Sequence, residues 1–216
     1  RVTVLTAIFG FSVSKAQGVF ITEIADPDND AAARFVELYN SGTTDFDLGN
    51  AGYKIQRWTN GNDNPTSSSI KDLTGIIPAG GFYILVPGNG SGFEAAYGFA
   101  ASQVIGNGGA ADSNGDDQIA ITNSAGDIVD IFGVPGEDGT GTAHDFADGR
   151  AERVATVTAG SETWVAAEWN VVAGGVDAPA GFDPGAWVGQ PTPTNPYAHV
   201  WKLVPEAGSL VVSSGE

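Results

Sequence analysis

Gln118-Ile-Ala-Ile-Thr122 and Ile128-Val-Asp-Ile-Phe132, joined through Asn123-Ser-Ala-Gly126-Asp127, are the stretch on which the reading of the fold turns. Both runs are short and alternate β-branched or aromatic residues with others, and the loop between them carries a Gly that tolerates positive φ. That combination predicts a β-hairpin. The same grammar recurs outward from it, in Val19-Phe-Ile-Thr-Glu-Ile24, Phe35-Val-Glu-Leu-Tyr39, Tyr53-Lys-Ile-Gln-Arg-Trp58 and Phe82-Tyr-Ile-Leu-Val86. Each run is bounded by Gly, Asn, Asp or Pro, as strands are. Intervals of roughly ten to thirty residues leave no room for regular crossover helices, so an antiparallel sandwich or barrel is expected. Glu37 alternates with Val36 and Leu38, which predicts a strand with one apolar face and one polar face. Phe82 to Leu85 are apolar on both faces, which predicts a central strand. Gly92 to Ala100 reads as one or two helical turns over a sandwich edge.

Composition narrows the function. The 216 residues suffice for a real core, and 26 Asp+Glu against 9 Lys+Arg give a formal charge of −17. Charged residues are only 16% of the chain, where ~25% is usual. Affinity for nucleic acid comes from Lys and Arg displacing counterions, and the densest basic stretch is Lys54 to Arg57, so direct nucleic-acid binding is not expected. The absence of Cys removes disulfides, thiolate zinc sites and a cysteine nucleophile. With Arg1 first and no Met anywhere, the sequence reads as lacking an upstream piece.

The two ends read differently from the body. Val2 to Val13 is apolar, follows Arg1 and is closed by Ser14-Lys15-Ala16, with small residues where a signal peptidase wants them. Twelve residues are too few to span a bilayer, which needs ~20, so no transmembrane segment is expected there. Residues 1–18 are read as the remnant of a secretory signal or, alternatively, as an N-terminal donor strand. Residues 19–189 form the β-sandwich. Residues 190–216 comprise a stiff linker, Gln190-Pro-Thr-Pro-Thr-Asn-Pro196, and a C-terminal strand pattern or the start of a further module.

The ordered series Ile21-Thr-Glu-Ile24, Phe35-Val-Glu-Leu-Tyr-Asn40, Asp47-Leu-Gly-Asn50, Tyr53 to Trp58, Ile77-Pro-Ala-Gly-Gly-Phe82, Asn114-Gly-Asp-Asp-Gln-Ile-Ala-Ile121 and Asp127-Ile-Val-Asp130 resembles a lamin-tail domain of the bacterial secreted type. The likeness covers Val19 to Phe132 and continues more weakly through Asp148 to Arg153 and Glu168 to Val171. Asn50-Ala-Gly-Tyr53 inserts residues that the family pattern lacks. The resemblance implies an immunoglobulin-like β-sandwich, secretion, and use as an accessory module beside nucleases, hydrolases or adhesive segments. It does not imply catalysis.

Metal binding is the sharpest local expectation. Asp26-Pro-Asp28-Asn-Asp30 sets carboxylates at alternate positions, and Glu37 follows Asp26 at the offset of the bidentate acid in a calcium loop. Ala31 stands where that loop wants Gly, and Phe35 to Tyr39 reads as strand, so the expectation is an irregular Ca²⁺ cage rather than an EF-hand. Asp112-Ser-Asn114-Gly-Asp116 is a second cluster of the same form, although Asp and Asn in turns usually bond their own backbone. Two histidines, His144 and His199, and the absence of nucleophile-elbow, phosphate-loop and zincin motifs argue against an enzyme. Trp58, Trp164, Trp169 and Trp187 suit core filling better than a sugar platform. The expected function is a non-catalytic secreted module that binds or anchors at the cell surface or in the extracellular matrix, its partner a protein or surface polymer. The alternative is a structural subunit of an extracellular filament, self-assembled by strand donation from Val2 to Val13.

Overall fold

The computed structural model describes residues 18–175, 178 and 181–190, together with the backbone of 202–206 and 209–213. The strands are β1 (Val19–Ala25), β2 (Phe35–Asn40), β3 (Phe46–Asp47), β4 (Lys54–Trp58), β5 (Lys71–Asp72), β6 (Ile76–Ile77) and β7 (Phe82–Val86). A helix α1 (Ser91–Tyr97) precedes β8 (Gln103–Val104), β9 (Gln118–Thr122), β10 (Ile128–Phe132), β11 (Arg150–Arg153) and β12 (Trp169–Val172). They assemble as a six-stranded sheet, β12-β11-β1-β2-β7-β8, and a four-stranded sheet, β10-β9-β4-β5. All pairings are antiparallel except β7 with β8. A small β3-β6 pair and a C-terminal hairpin of β13 (Lys202–Glu206) with β14 (Ser209–Ser213) complete the topology. The chain is an antiparallel-rich, immunoglobulin-like β-sandwich. Val2 to Val13 and the linker beyond Gln190 lie outside the described residues.

The expected hairpin forms: Asn123 N donates to Asp127 O and Gly126, at φ 89°, donates to Asn123 O, each at 3.0 Å. Ile21, Ile24, Val36, Leu38 and Leu85 of the large sheet meet Ile55, Ile119, Ile121 and Phe132 of the small one in a single buried cluster. Burying each such side chain stabilises by roughly 1.5–3 kcal/mol.

Two bulges decide which polar groups enter this interior. In β1 the pairing runs Ile21 with Leu38 and then Glu23 with Glu37, leaving Thr22 as an extra residue. That slip keeps both Ile21 and Ile24 inward and places Glu23 outward beside Glu37. In β10 a slip at Val129 turns Asp130 inward. Asp130 there forms a buried ion pair with Arg153 of the other sheet, accepts from Ile21 N at 2.8 Å and accepts from Ser161 N at 2.8 Å. Arg153 also donates to Ile21 O at 3.1 Å and lies 4.0 Å from the ring centroid of Trp169. The groups flanking the β1 bulge are thus satisfied by a clasp between the sheets.

The expectation of a polar, solvent-facing side on β2 fails: all six of its residues are buried. The outer face of the large sheet is covered by α1, whose Phe93 and Tyr97 pack edge-on or tilted against Phe35 and each other, and by residues 181–190. Phe182 packs against Phe35, and Trp187 against Phe20 and Tyr39. The 181–190 part of this third layer comes from chain well beyond the hairpin, which local periodicity cannot reveal.

Candidate functional site

The outer face of the small sheet carries a shallow apolar groove. β10 presents Ile128 and Ile131 outward, where they pack with Ala120 and Trp58. Gly133 follows at φ 82°, and a Cβ there would come within 2.8 Å of Gln118 and 3.0 Å of His144, so only glycine permits the turn. The turn raises Val134 and Pro135 as one wall, while Trp164 forms the other. The groove has a volume of about 310 Å³, with Glu162 and Thr163 on its rim. Trp164 stands at 5.3 Å from the His144 ring and 6.2 Å from Phe132. Glu162 and Thr163 are shared with two more polar depressions along β10, one reaching Gly18 and Val19 and the other Asn123 and Asp127.

His144 supports this groove from beneath. It is fully buried, its Nδ1 lies 3.1 Å from Thr142 Oγ1 and its Nε2 3.3 Å from Gln118 Nε2. Burial pushes its pKa down, against the pull of Glu137 at 3.6 Å, so it stands as a neutral core imidazole.

The residues singled out for calcium do not gather in one place. Asp26 is fully buried; its Oδ1 accepts from Arg34 Nε at 2.6 Å and its Oδ2 from Asp148 N at 3.0 Å. Burial raises its carboxyl, and the Arg34 hydrogen bond opposes that shift. Asp112, from the second cluster, joins the same arginine: its Oδ1 accepts from Arg34 Nη1 at 3.2 Å and its Oδ2 from Gly108 N at 2.8 Å. Asn29 accepts from Arg34 Nη2 at 2.7 Å. Asp28, Asp30 and Asn114 are exposed, and Asp30 is used as a local cap on Ala32 N at 3.0 Å. Asp116 is half-buried with Oδ1 lacking a partner, and burial followed by the Asp117 charge raises its carboxyl. Glu37 lies apart from all of these, on the outer face of β2. Among the described residues no group of three or more His, Asp or Glu is arranged to hold a metal ion. What draws the two clusters together is the guanidinium of Arg34, which the loop spacing did not single out. Its signal in the sequence was a lone basic residue between an acidic loop and a strand.

Of the tryptophans, Trp58, Trp169 and Trp187 are core residues, and Trp164 is half-buried in the groove wall. Among the described residues no helix is long and apolar enough to cross a membrane.

Fold and surface together define an immunoglobulin-like domain whose features are a covered sheet face and an open apolar groove. The lamin tail domain family model matches residues 12–136, more than half of the chain, and the chain belongs to that family. Lamin tail domains are non-enzymatic, immunoglobulin-like β-domains. No curated protein matches the chain.

Proposed function

We propose that this chain is a non-catalytic binding or anchoring module of a secreted protein, acting at the cell surface or in the extracellular matrix. The observation that carries the reading is the groove between Trp164 and Val134-Pro135. It is apolar, walled by Trp164 and Val134-Pro135, floored by Ile128 and Ile131, and rimmed by the hydrogen-bonding groups of Glu162 and Thr163. Sites of this kind recognise extended polymers or peptides through an aromatic wall with polar edges. Secretion is supported by the apolar run Val2 to Val13 with its small-residue close.

The test is co-sedimentation with insoluble cell-wall and matrix preparations, comparing the wild type with Val134→Asp, which places a charge on an exposed wall without touching the core. Wild-type binding that falls at least tenfold in the variant supports the groove. Equal binding by both proteins, or binding by neither, rejects it.

A further inference from the structure

Three glutamates stand side by side across the outer face of the large sheet. The pairing sets Glu37 of β2 opposite Glu23 of β1, and Glu23 opposite Glu152 of β11. Like charges directly opposite one another on a sheet destabilise it. Here they are also buried: Glu37 and Glu23 are 0% and 1% exposed, and Glu152 is 8% exposed. Asp183 adds a fourth carboxylate from the overlying segment. Arg150 is the guanidinium among them, 3.8 Å from Glu23, 3.6 Å from Glu152 and 3.9 Å from Asp183. Among the described residues one cation faces four acids, and Glu23 Oε1 has no hydrogen-bond partner.

Residues 181–190 close over this ladder. Gly185, at φ 95°, aims its N–H at Glu37 Oε2 at 2.6 Å, while Thr22 Oγ1 lies 2.6 Å from Glu37 Oε1. Arg150 donates to Gly181 O at 2.8 Å, Trp187 Nε1 to Arg153 O at 2.7 Å, and Gln190 to Gly80 O at 3.1 Å. A Cβ at Gly189 would meet the Trp187 ring at 2.2 Å, so the chain folds back on its own indole only with glycine there. Apolar anchors thus hold both ends of the segment, and a carboxylate sits under its middle.

We propose that residues 181–190 are a releasable strap, and that a proton carried by the Glu37–Glu23–Glu152 ladder decides whether it stays closed. The groups that face the ladder are Glu23 from β1, Glu37 from β2, Arg150 and Glu152 from β11, Asp183 from the strap and Tyr97 from α1. Burial pushes the Glu37 carboxyl from 4.5 up to about 8, and burial with the neighbouring Glu37 holds Glu23 well above its ordinary value. Lifting the strap returns water to Glu37, whose ionisation then moves back toward 4.5. The closed form therefore binds the proton more tightly than the open form. Closure is strongest in acid, weakens by up to tenfold per pH unit as pH rises between those two values, and levels off above about 8.

Hydrogen exchange of the full chain tests this, read at the Gly185 amide and the Trp187 indole and corrected for base-catalysed intrinsic exchange. From pH 5.5 to 9 the wild-type protection is expected to fall at least tenfold and then flatten. Glu37→Gln keeps the hydrogen-bonding shape without the charge, and its protection is expected to fall much less with pH than that of the wild type, Glu23 and Glu152 alone still titrating. A flat wild-type profile, or the same fall in Glu37→Gln, overturns the proposal. Should Glu37→Gln not fold, Glu152→Gln removes a neighbouring charge from the ladder's rim and is expected to give a shallower fall; an unchanged profile overturns the proposal equally. The readout lies on the face opposite the small-sheet groove, so its outcome is independent of whether that groove binds a partner.

Discussion

Glu23 and Asp26 lie three residues apart and both are buried, yet their charges are met in different ways. Asp26 faces the guanidinium of Arg34, which also holds Asp112 and Asn29. Glu23 faces two more glutamates and shares a single, longer-range arginine with them. A guanidinium stays charged at any pH a protein meets, so the first arrangement changes only in acid, where its carboxylates take up protons. The second has too few cations and is met by protons, which makes it responsive. In a chain of net charge −17, the difference separates a fixed joint from an adjustable one.

That contrast breaks most visibly at the fixed joint. Arg34→Met strands two carboxylates, one of them fully buried, and is expected to cost about 3–5 kcal/mol in urea unfolding at pH 7, since removing one partner of a buried pair leaves its charge uncompensated. Adding Asp26→Asn to that variant is expected to restore part of the loss; no recovery would mean that Arg34 acts by packing alone.

The ladder is expected to behave in the opposite sense. Because the folded carboxyl of Glu37 titrates above its unfolded value, its contribution is complete in acid and lost as pH rises toward about 8. Glu37→Gln is therefore expected to stabilise the protein by roughly 2 kcal/mol at pH 8.5 and to change little at pH 5, as read from paired denaturant melts. A loss of stability at both pH values would instead mark Glu37 as a purely structural hydrogen-bonding group.

The smallest effect is expected from calcium. With Arg34 already seated between Asp26 and Asp112, EDTA or millimolar Ca²⁺ is expected to move the melting temperature by less than about 1 °C, because ligand stabilisation requires a native site to fill. A shift of several degrees that disappears in Asp112→Asn would place a metal ion at this junction after all.

Much of the sandwich was legible because its signals are local. The loop from Asn123 to Asp127 contains a residue suited to positive φ between two alternating runs, and it folds as read. Phe82 to Val86 was read as interior from its apolar faces, and β7 indeed has a neighbour on each side. Gly92 to Ala100 was read as a short helix and is one, though it covers a sheet face rather than an edge. Glu37 was read as the polar side of a half-buried strand, a correct statement about alternation and a wrong one about solvent. The residue that covers it, Gly185, is 148 positions away. Thr22 hid the ladder in the same fashion: within Ile21-Thr-Glu-Ile24 a strict period of two puts one isoleucine outside, and only the bulge returns both to the core.

By itself, then, the sequence determined the strands, the turns between them, the antiparallel class and the lamin-tail likeness, all of which depend on side-chain periodicity and backbone preference within a few residues. Tertiary structure alone decided which charges became neighbours. Register, a one-residue bulge and a distant covering segment set those distances, and a carboxylate's energy depends on what lies within a few ångströms of it, not on what lies beside it in the chain.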